Sequence, residues 1–529
     1  MGLAATLGRV PKFGAALAVG GILAWNLREV TRWPEHPPEA VAATVVIGAA
    51  FAAWFGWIAT RIRGGPSAAA LAAGLGCVAG ILALSYPGSE TFRHHLLRHH
   101  TLIGTPIYYV FETPLEDVYR TARSPAATTR APSDGTPAEK RHAVAGGDLV
   151  FVLVDTLRAD QLDRGMPRTA AWAESGFRFD DVVANTSWTR PSVASMFTGL
   201  APEEHGATGQ ADGLPENRPT LAERLQRRGY ETAAFVSNYG AISREAGFAR
   251  GFDTFVEVQA GDDHATPRAE VVNAAVENWL GKRRARAGSR PLFLYVHYLD
   301  PHEPYFGFEP SQQFAELRAA YDTGVEYFDE QFERFRETIE RDVGHDTTFL
   351  FTADHGEALG EHGIHGHGNA LYPEQIDIPL VLHGPGLAAG RSNARLEGRD
   401  VFGLALRLAD PGDQPIGDWA ESEDRPTRFM SVYTRLPGAA HRPFFQITAS
   451  RRLDDGDDVL IWSGYGNTYE LFDRAADPEF RHNLADERPD AIARLRPELE
   501  RRGLVRAEGS AVRNSNQTRE QLRALGYIE

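Results

Sequence analysis

Leu149-Val150-Phe151-Val152-Leu153-Val154-Asp155 decides how the rest of the chain is read. Six apolar residues in a row suit a strand buried on both faces, the habit of parallel sheets covered by helices. The carboxylate that follows at once is then placed at the strand's carboxyl end. Further short apolar runs at Glu231–Val236, Pro291–His297, Thr347–Thr352 and Ile378–His383 read as strands. Between them Pro219–Arg228, Glu270–Ala285 and Ser311–Arg341 read as helices, and Pro191–Thr198 has the spacing of a helix start. Strands alternating with helices over this length predict an α/β fold, a mostly parallel sheet between helices. No repeat of fixed period interrupts the pattern.

In such sheets ligands bind outside the carboxyl ends of the strands. Asp155 stands at one such end, and Asp354-His355 stands at another, after Thr347–Thr352 and Ala353. Two carboxylates and an imidazole can hold one divalent cation, and His355 tilts the choice toward Zn²⁺ or Mn²⁺ over Ca²⁺ or Mg²⁺. Each has a plainer reading: Asp155 as a helix cap, Asp354-His355-Gly356-Glu357 as a polar turn. A third piece is Asn185-Thr186-Ser187-Trp188-Thr189-Arg190-Pro191-Ser192. Here Thr189 or Arg190 either caps the helix or presents its side chain at the helix's positive end, where an anionic ester would meet free N–H groups. His297, at a strand end, reads as buried and satisfied by a backbone carbonyl.

The chain has 529 residues, 55 Lys plus Arg against 71 Asp plus Glu, and a net charge of −16. That charge argues against nucleic acid as a partner. Cys77 stands alone, so neither a disulfide framework nor a Cys-built zinc site is available. Residues 1–90 read as a transmembrane anchor with helices at about 13–27, 40–60 and 67–86; the last two stretches carry no charge and are long enough for a roughly 30 Å hydrocarbon core. Three spans with the N-terminus inside place everything after residue 87 beyond the cytoplasm of a bacterial-type cell membrane. Residues 91–147 read as a juxtamembrane segment and linker, 148–485 as the catalytic domain, and 486–529 as a helical tail without a catalytic role.

From Leu149 to Leu484 the chain resembles the sulfatase-like branch of the alkaline phosphatase superfamily. The resemblance rests on five stretches in order: Asp155; Thr189, Pro191, Ser192, Thr198 and Gly199; Asp300-Pro301-His302-Glu303-Pro304-Tyr305; Asp354-His355-Gly356-Glu357 with Leu359-Gly360-Glu361-His362-Gly363; and Tyr469 to Leu484. It implies an alkaline phosphatase/sulfatase-like fold and a metal held by Asp155, Asp354 and His355, with Thr189 as inner-sphere oxygen and nucleophile. An acid must protonate the leaving alkoxide: His302 and His367 are the leading candidates and His365 the lesser one, while Arg190 either binds a substrate oxygen or points away. A second metal on Asp300, His302 and His367 is compatible with the resemblance. True sulfatases carry Cys or Ser at the nucleophile position, oxidised to formylglycine, and a secondary alcohol cannot yield that aldehyde. Val193 replaces an expected Arg, and Thr156 replaces an expected acid. Thr189 instead resembles the nucleophile of phosphoethanolamine and phosphoglycerol transferases.

The expected function is therefore a membrane-anchored, metal-dependent hydrolase or transferase acting on a phosphoryl ester. Expected partners are the membrane, phospholipid, envelope glycan or a small phospho- or sulfo-ester. The alternatives are a sulfatase working without formylglycine and a non-enzymatic envelope protein that keeps the fold.

Overall fold

A computed structural model of the chain describes residues 147–524, apart from 211, 261–265, 287–289, 306–313, 411–413, 436–446, 465–467, 504–509 and 513–514. The anchor helices and most of the linker read from the sequence lie outside the described residues. Among the described residues no helix is long and apolar enough to cross a membrane. The longest, Phe314–Asp342, has the length, but charges at Arg318, Asp322, Glu326, Asp329 and Arg334 recur along it. This corrects the expectation of a membrane-anchored, multi-pass protein with an extracytoplasmic domain. The phospholipid partner that rested on it is withdrawn.

The described residues fall into two compact units. The larger holds the described residues up to Leu359, then His365–Asp457, and those from Pro497 on. Its sheet has eight strands: β1 (Asp148–Val154), β2 (Phe177–Phe179), β3 (Glu231–Val236), β4 (Thr254–Glu257), β5 (Leu292–Tyr298), β6 (Thr347–Ala353), β7 (Leu380–His383) and β8 (Gly390–Ser392). Their spatial order is β8-β2-β7-β6-β1-β5-β3-β4. The central run β6-β1-β5-β3-β4 is parallel, whereas β7 is antiparallel to both neighbours. Strand β4 closes one edge of the sheet.

Five helices matter here: α1 (Thr189–Thr198), α2 (Leu221–Arg227), α3 (Ala269–Arg284), α4 (Phe314–Asp342) and α5 (Asp400–Ala409). Along α4, Leu317, Tyr321, Val325, Phe328, Phe332, Phe335 and Ile339 recur every three or four residues and are all buried. That stripe packs on one sheet face, with Phe332 and Phe351 ring centroids 5.0 Å apart. The other face receives α1, whose Phe197 meets Tyr295 edge-on at 4.9 Å. Every residue of α1 is buried. It begins at Thr189, so Pro191 is its third residue and not its first, and Gly199 ends it in a left-handed turn at φ 70°.

Two buried polar clusters brace this unit. Arg428 bonds Asp181 (2.6 Å) and Asp454 (2.9 Å), and Arg452 also bonds Asp454 (2.6 Å). Removing Asp454 would leave two buried guanidiniums short of charge. Behind α1, His205 accepts from the Ala207 N–H through Nδ1 (3.0 Å) and donates from Nε2 to the Pro191 carbonyl (3.1 Å). Burial pushes its pKa down to about 3. The folded protein therefore holds it neutral, and protonation opposes folding. Stability present above about pH 6.5 is lost as the pH falls toward about 3. His205→Gln is expected to flatten that acid limb, measured as urea midpoints between these two pH values.

The smaller unit comprises Gly360–Ile364 and Asp458–Arg496. Asp458–Ser463 and Thr468–Asp473 pair antiparallel. Phe472 stacks on Phe480 at 4.8 Å, and the Phe480 carbonyl takes a hydrogen bond from His362 Nε2 at 3.0 Å. His362 is thus engaged within this unit.

Candidate metal and catalytic site

Four neighbouring parallel strands deliver the site. In register, Leu153 of β1 faces His297 of β5, and Val154 faces Ala353 of β6. Asp155 and Asp354, each one residue further, come out side by side. The turn after Asp155 is tight: Thr156 adopts φ 61°, a left-handed conformation costly for a β-branched residue. It directs the Thr156 N–H to Asp354 Oδ1 (3.3 Å), which also accepts from the His355 N–H (3.0 Å). Ser192 Oγ, on the first turn of α1, donates to the Asp354 carbonyl at 2.6 Å and ties that helix to the strand end.

These bonds leave a set of buried atoms without partners. Asp155 Oδ1, Asp354 Oδ2 and His297 Nε2 are all shielded from solvent and make no hydrogen bond. Ligand atoms of Asp155, His297 and Asp354 lie within 4.8 Å of one another. Orphaned buried carboxylate oxygens are costly alone and satisfied by a cation. Electrostatics agree. Burial and the neighbouring Asp155 push the Asp354 carboxyl well above its ordinary range. Burial also opposes ionisation of Asp155, but His302, His297, His355 and His367 outweigh it and hold its pKa down. Two carboxylates and an imidazole around one point fit a single divalent ion, and among the described residues no other such group occurs. Asp300, expected in a second site, accepts the Ala269 N–H at the start of α3 through Oδ1 (3.0 Å), and burial raises its pKa to about 7.

His297 was misread from the sequence. Ser237 Oγ donates to the His297 carbonyl (2.7 Å), leaving its lone pair for the Nδ1–H of the same residue (3.1 Å). Nε2 therefore carries a lone pair and lies 3.6 Å from Asp155 Oδ2. Burial lowers its pKa to about 4, so the ring is a neutral donor to a metal. Asn238 was missed as well: its Nδ2 donates to Asp155 Oδ2 at 2.8 Å. The available signal was a lone imidazole inside the apolar strand Leu292–Tyr298, which cannot be buried there without a partner.

Thr189 is fully buried, with Oγ1 3.5 Å from Asp155 Oδ2 and 3.3 Å from His355 Nε2. As first residue of α1 it stands where the helix's unpaired N–H groups emerge. The His355 Nδ1–H donates to the Gly356 carbonyl (2.9 Å), which aims Nε2 at Asp354 Oδ2 (3.3 Å) and Asp155 Oδ1 (3.7 Å). His367 stacks beside His355 with centroids 4.7 Å apart and meets His302 edge-on at 4.8 Å. The Glu357 carboxylate, itself buried, holds His367 Nδ1 at 3.2 Å from both oxygens.

Arg190 is the exception. Its guanidinium is buried and bonded to the carbonyls of Ala241 (2.8 Å), Gly240 (2.8 Å), Gly209 (3.2 Å), Gln210 and Asp212 (3.4 Å). Helix geometry turns successive residues by about 100°, so the neighbour of Thr189 faces away from it. Arg190 anchors loops.

A sequence model of the sulfatase family, described as Sulfatase, matches residues 148–411. The low-salt glycan biosynthesis sulfotransferase of Haloferax volcanii is 25% identical over 437 residues, 73% of this chain and 97% of the relative. An arylsulfatase of Clostridium perfringens is 22% identical over 461 residues, 68% and 95% of the two chains. The phosphonate monoester hydrolase of Silicibacter pomeroyi superposes with a TM-score of 0.56 at 19% identity, covering 68% of this chain and 96% of that one. The fold is that of the sulfatases and the alkaline phosphatase superfamily. With its sulfatase-like fold and a triad able to hold a metal, the chain is a hydrolase-type enzyme.

Proposed function

We propose that the chain cleaves or transfers a small phosphate ester through Thr189. The observation that supports this is the Thr189 hydroxyl set against the orphaned Asp155–Asp354 pair at a helix N-terminus. Asp155, Asp354 and His297 would hold one divalent ion, with His355 Nε2 as a further nitrogen ligand beside them. A bound ion lowers the pKa of a coordinated hydroxyl and offsets charge on the phosphoryl oxygens. The protein's own groups do the rest. The Thr189 proton has an acceptor in reach at Asp155 Oδ2. As the Oγ–P bond forms and the P–O bond to the leaving group breaks, the departing oxygen takes a proton from His367. His302 packs on His367 and limits its movement. Water or an acceptor hydroxyl then releases the phosphoryl group from Thr189. First-turn N–H groups of α1 face the non-bridging oxygens.

A sulfate ester is the second reading, favoured by the sulfatase family match and by the sulfotransferase relative whose name places it in glycan synthesis. A sugar sulfate is the form it would take. A Thr nucleophile cannot form the aldehyde hydrate, so that route also needs a covalent ester on Thr189. Mass spectrometry of the metal-loaded chain after exposure to alkyl phosphate monoesters, diesters and sugar sulfates separates the readings. A phosphoryl adduct on Thr189 is expected. A sulfo adduct selects the second reading, and turnover with Thr189 never modified refutes the covalent route.

A further inference from the structure

The tail read from the sequence as non-catalytic reaches the site from the other end of the chain. Ser510–Ala511 pairs antiparallel with Asp212–Gly213, and helix α6 (Asn516–Ala524) follows. From α6, Gln521 reaches a loop 281 residues earlier. Its Oε1 accepts the Gly240 N–H, and its Nε2 donates to the Ser237 carbonyl at 2.6 Å. Gln521 and Leu522 are both buried. A Cβ on Gly240 would meet Leu522 Cδ2 at 3.1 Å and Gln521 Oε1 at 3.3 Å, so a side chain there would crowd the approach.

The clamped loop, residues 237–241, serves three parts of the site. Ser237 fixes the His297 ring through Nδ1. Asn238 holds Asp155 Oδ2, and its own Oδ1 takes the Ala241 N–H at 3.1 Å. The Gly240 and Ala241 carbonyls receive Arg190, the residue after Thr189. Without Gln521 the Ser237 carbonyl and the Gly240 N–H would be buried and unpaired, and the loop would have to move to satisfy them. From this we infer that Gln521 is a positioning residue for the metal triad, acting through the 237–241 loop, and that the C-terminal helix is a working part of the catalytic domain. The inference rests on the triad holding a divalent ion.

The test is Mn²⁺ titration of the full chain by calorimetry, comparing wild type with Gln521→Ala and the near-isosteric Gln521→Met, alongside amide hydrogen exchange and the unfolding midpoint of the metal-free protein. Outer partners of metal ligands change affinity by about 10- to 100-fold, and Gln521 lies one residue further out, so a loss of about 5- to 10-fold is expected for both variants. Exchange at residues 237–241 should quicken at the same time. A purely structural docking contact lowers the metal-free unfolding midpoint and leaves the affinity of the folded protein alone. Affinity within about twofold of wild type in a folded variant overturns the inference. If Gln521→Ala does not fold, Gln521→Met decides. If wild type binds no Mn²⁺, the metal reading fails on its own account. Exchange at 237–241 then tests the clamp, and unchanged protection there refutes it.

Discussion

Thr189→Ala is expected to lower kcat by about 10³-fold or more, close to 4 kcal/mol of transition-state stabilisation, because in the proposed route it removes the atom that bonds to phosphorus. The fold should survive. The lost atoms are one hydroxyl and one methyl at the first position of a ten-residue helix, and that helix is held elsewhere by Ser192, His205 and the Arg190 carbonyl contacts. Divalent metal binding should persist too, since the orphaned Asp155 and Asp354 oxygens and His297 Nε2 are untouched. Thr189→Ser keeps a hydroxyl at the same distance from Asp155 and is expected to retain activity within about tenfold. The measurement is steady-state turnover of a phosphate ester, paired with calorimetric metal titration of each variant. Loss of metal binding in Thr189→Ala would mean that the hydroxyl serves the ion first. Full activity in the same variant would remove Thr189 from the chemistry altogether.

Why Asp155 and Asp354 were readable and His297, Asn238 and Gln521 were not follows from distance along the chain. A run such as Leu149–Val154 announces a strand by composition, and the rule that parallel sheets bind ligands at their carboxyl ends then picks out Asp155 and Asp354 without further knowledge. Strand β3 was legible to its end residues for the same reason. His297 was seen at the end of its strand, but the run itself does not tell which partner its ring takes. Whether its Nε2 is satisfied depends on Ser237, 60 residues away. Arg190 shows the converse error. Adjacency to Thr189 in sequence suggested adjacency in function, and helix rotation reverses that. Gln521 depends on a contact spanning nearly the whole catalytic region, and no local pattern encodes such a contact. The membrane reading had a different fault: it drew its weight from residues 1–90, and the described fold holds no helix able to cross a bilayer.

The identity of the leaving-group acid gives the second large effect, and its signature is a split between substrates. Three of the site imidazoles give their Nδ1–H to a neutral oxygen: His297 to Ser237 Oγ, His355 to the Gly356 carbonyl, His302 to the Glu303 carbonyl. Of the four, only His367 sets its Nδ1 against a carboxylate. Burial by itself would lower the His367 pKa, but the Glu357 charge and hydrogen bond prevail and raise it. His297 and His355 are lowered by burial, to about 4 and about 3. Near neutral pH the ring biased to carry a proton is therefore His367. A 4-nitrophenolate departs unprotonated, whereas an alkoxide does not. His367→Ala should thus cost about 10²- to 10⁴-fold in kcat/KM on an alkyl phosphate, and less than about tenfold on the 4-nitrophenyl ester. Glu357→Gln keeps an acceptor for Nδ1–H but removes the charge that raises the His367 pKa. Activity needing the protonated ring is present at low pH and lost as the pH rises through that pKa. The alkaline limb for the alkyl ester should accordingly move to lower pH in Glu357→Gln, while the limb for the nitrophenyl ester stays in place. Equal losses on both substrates, with no movement of either limb, would assign Glu357 and His367 to holding the site together and leave His302 as the proton donor.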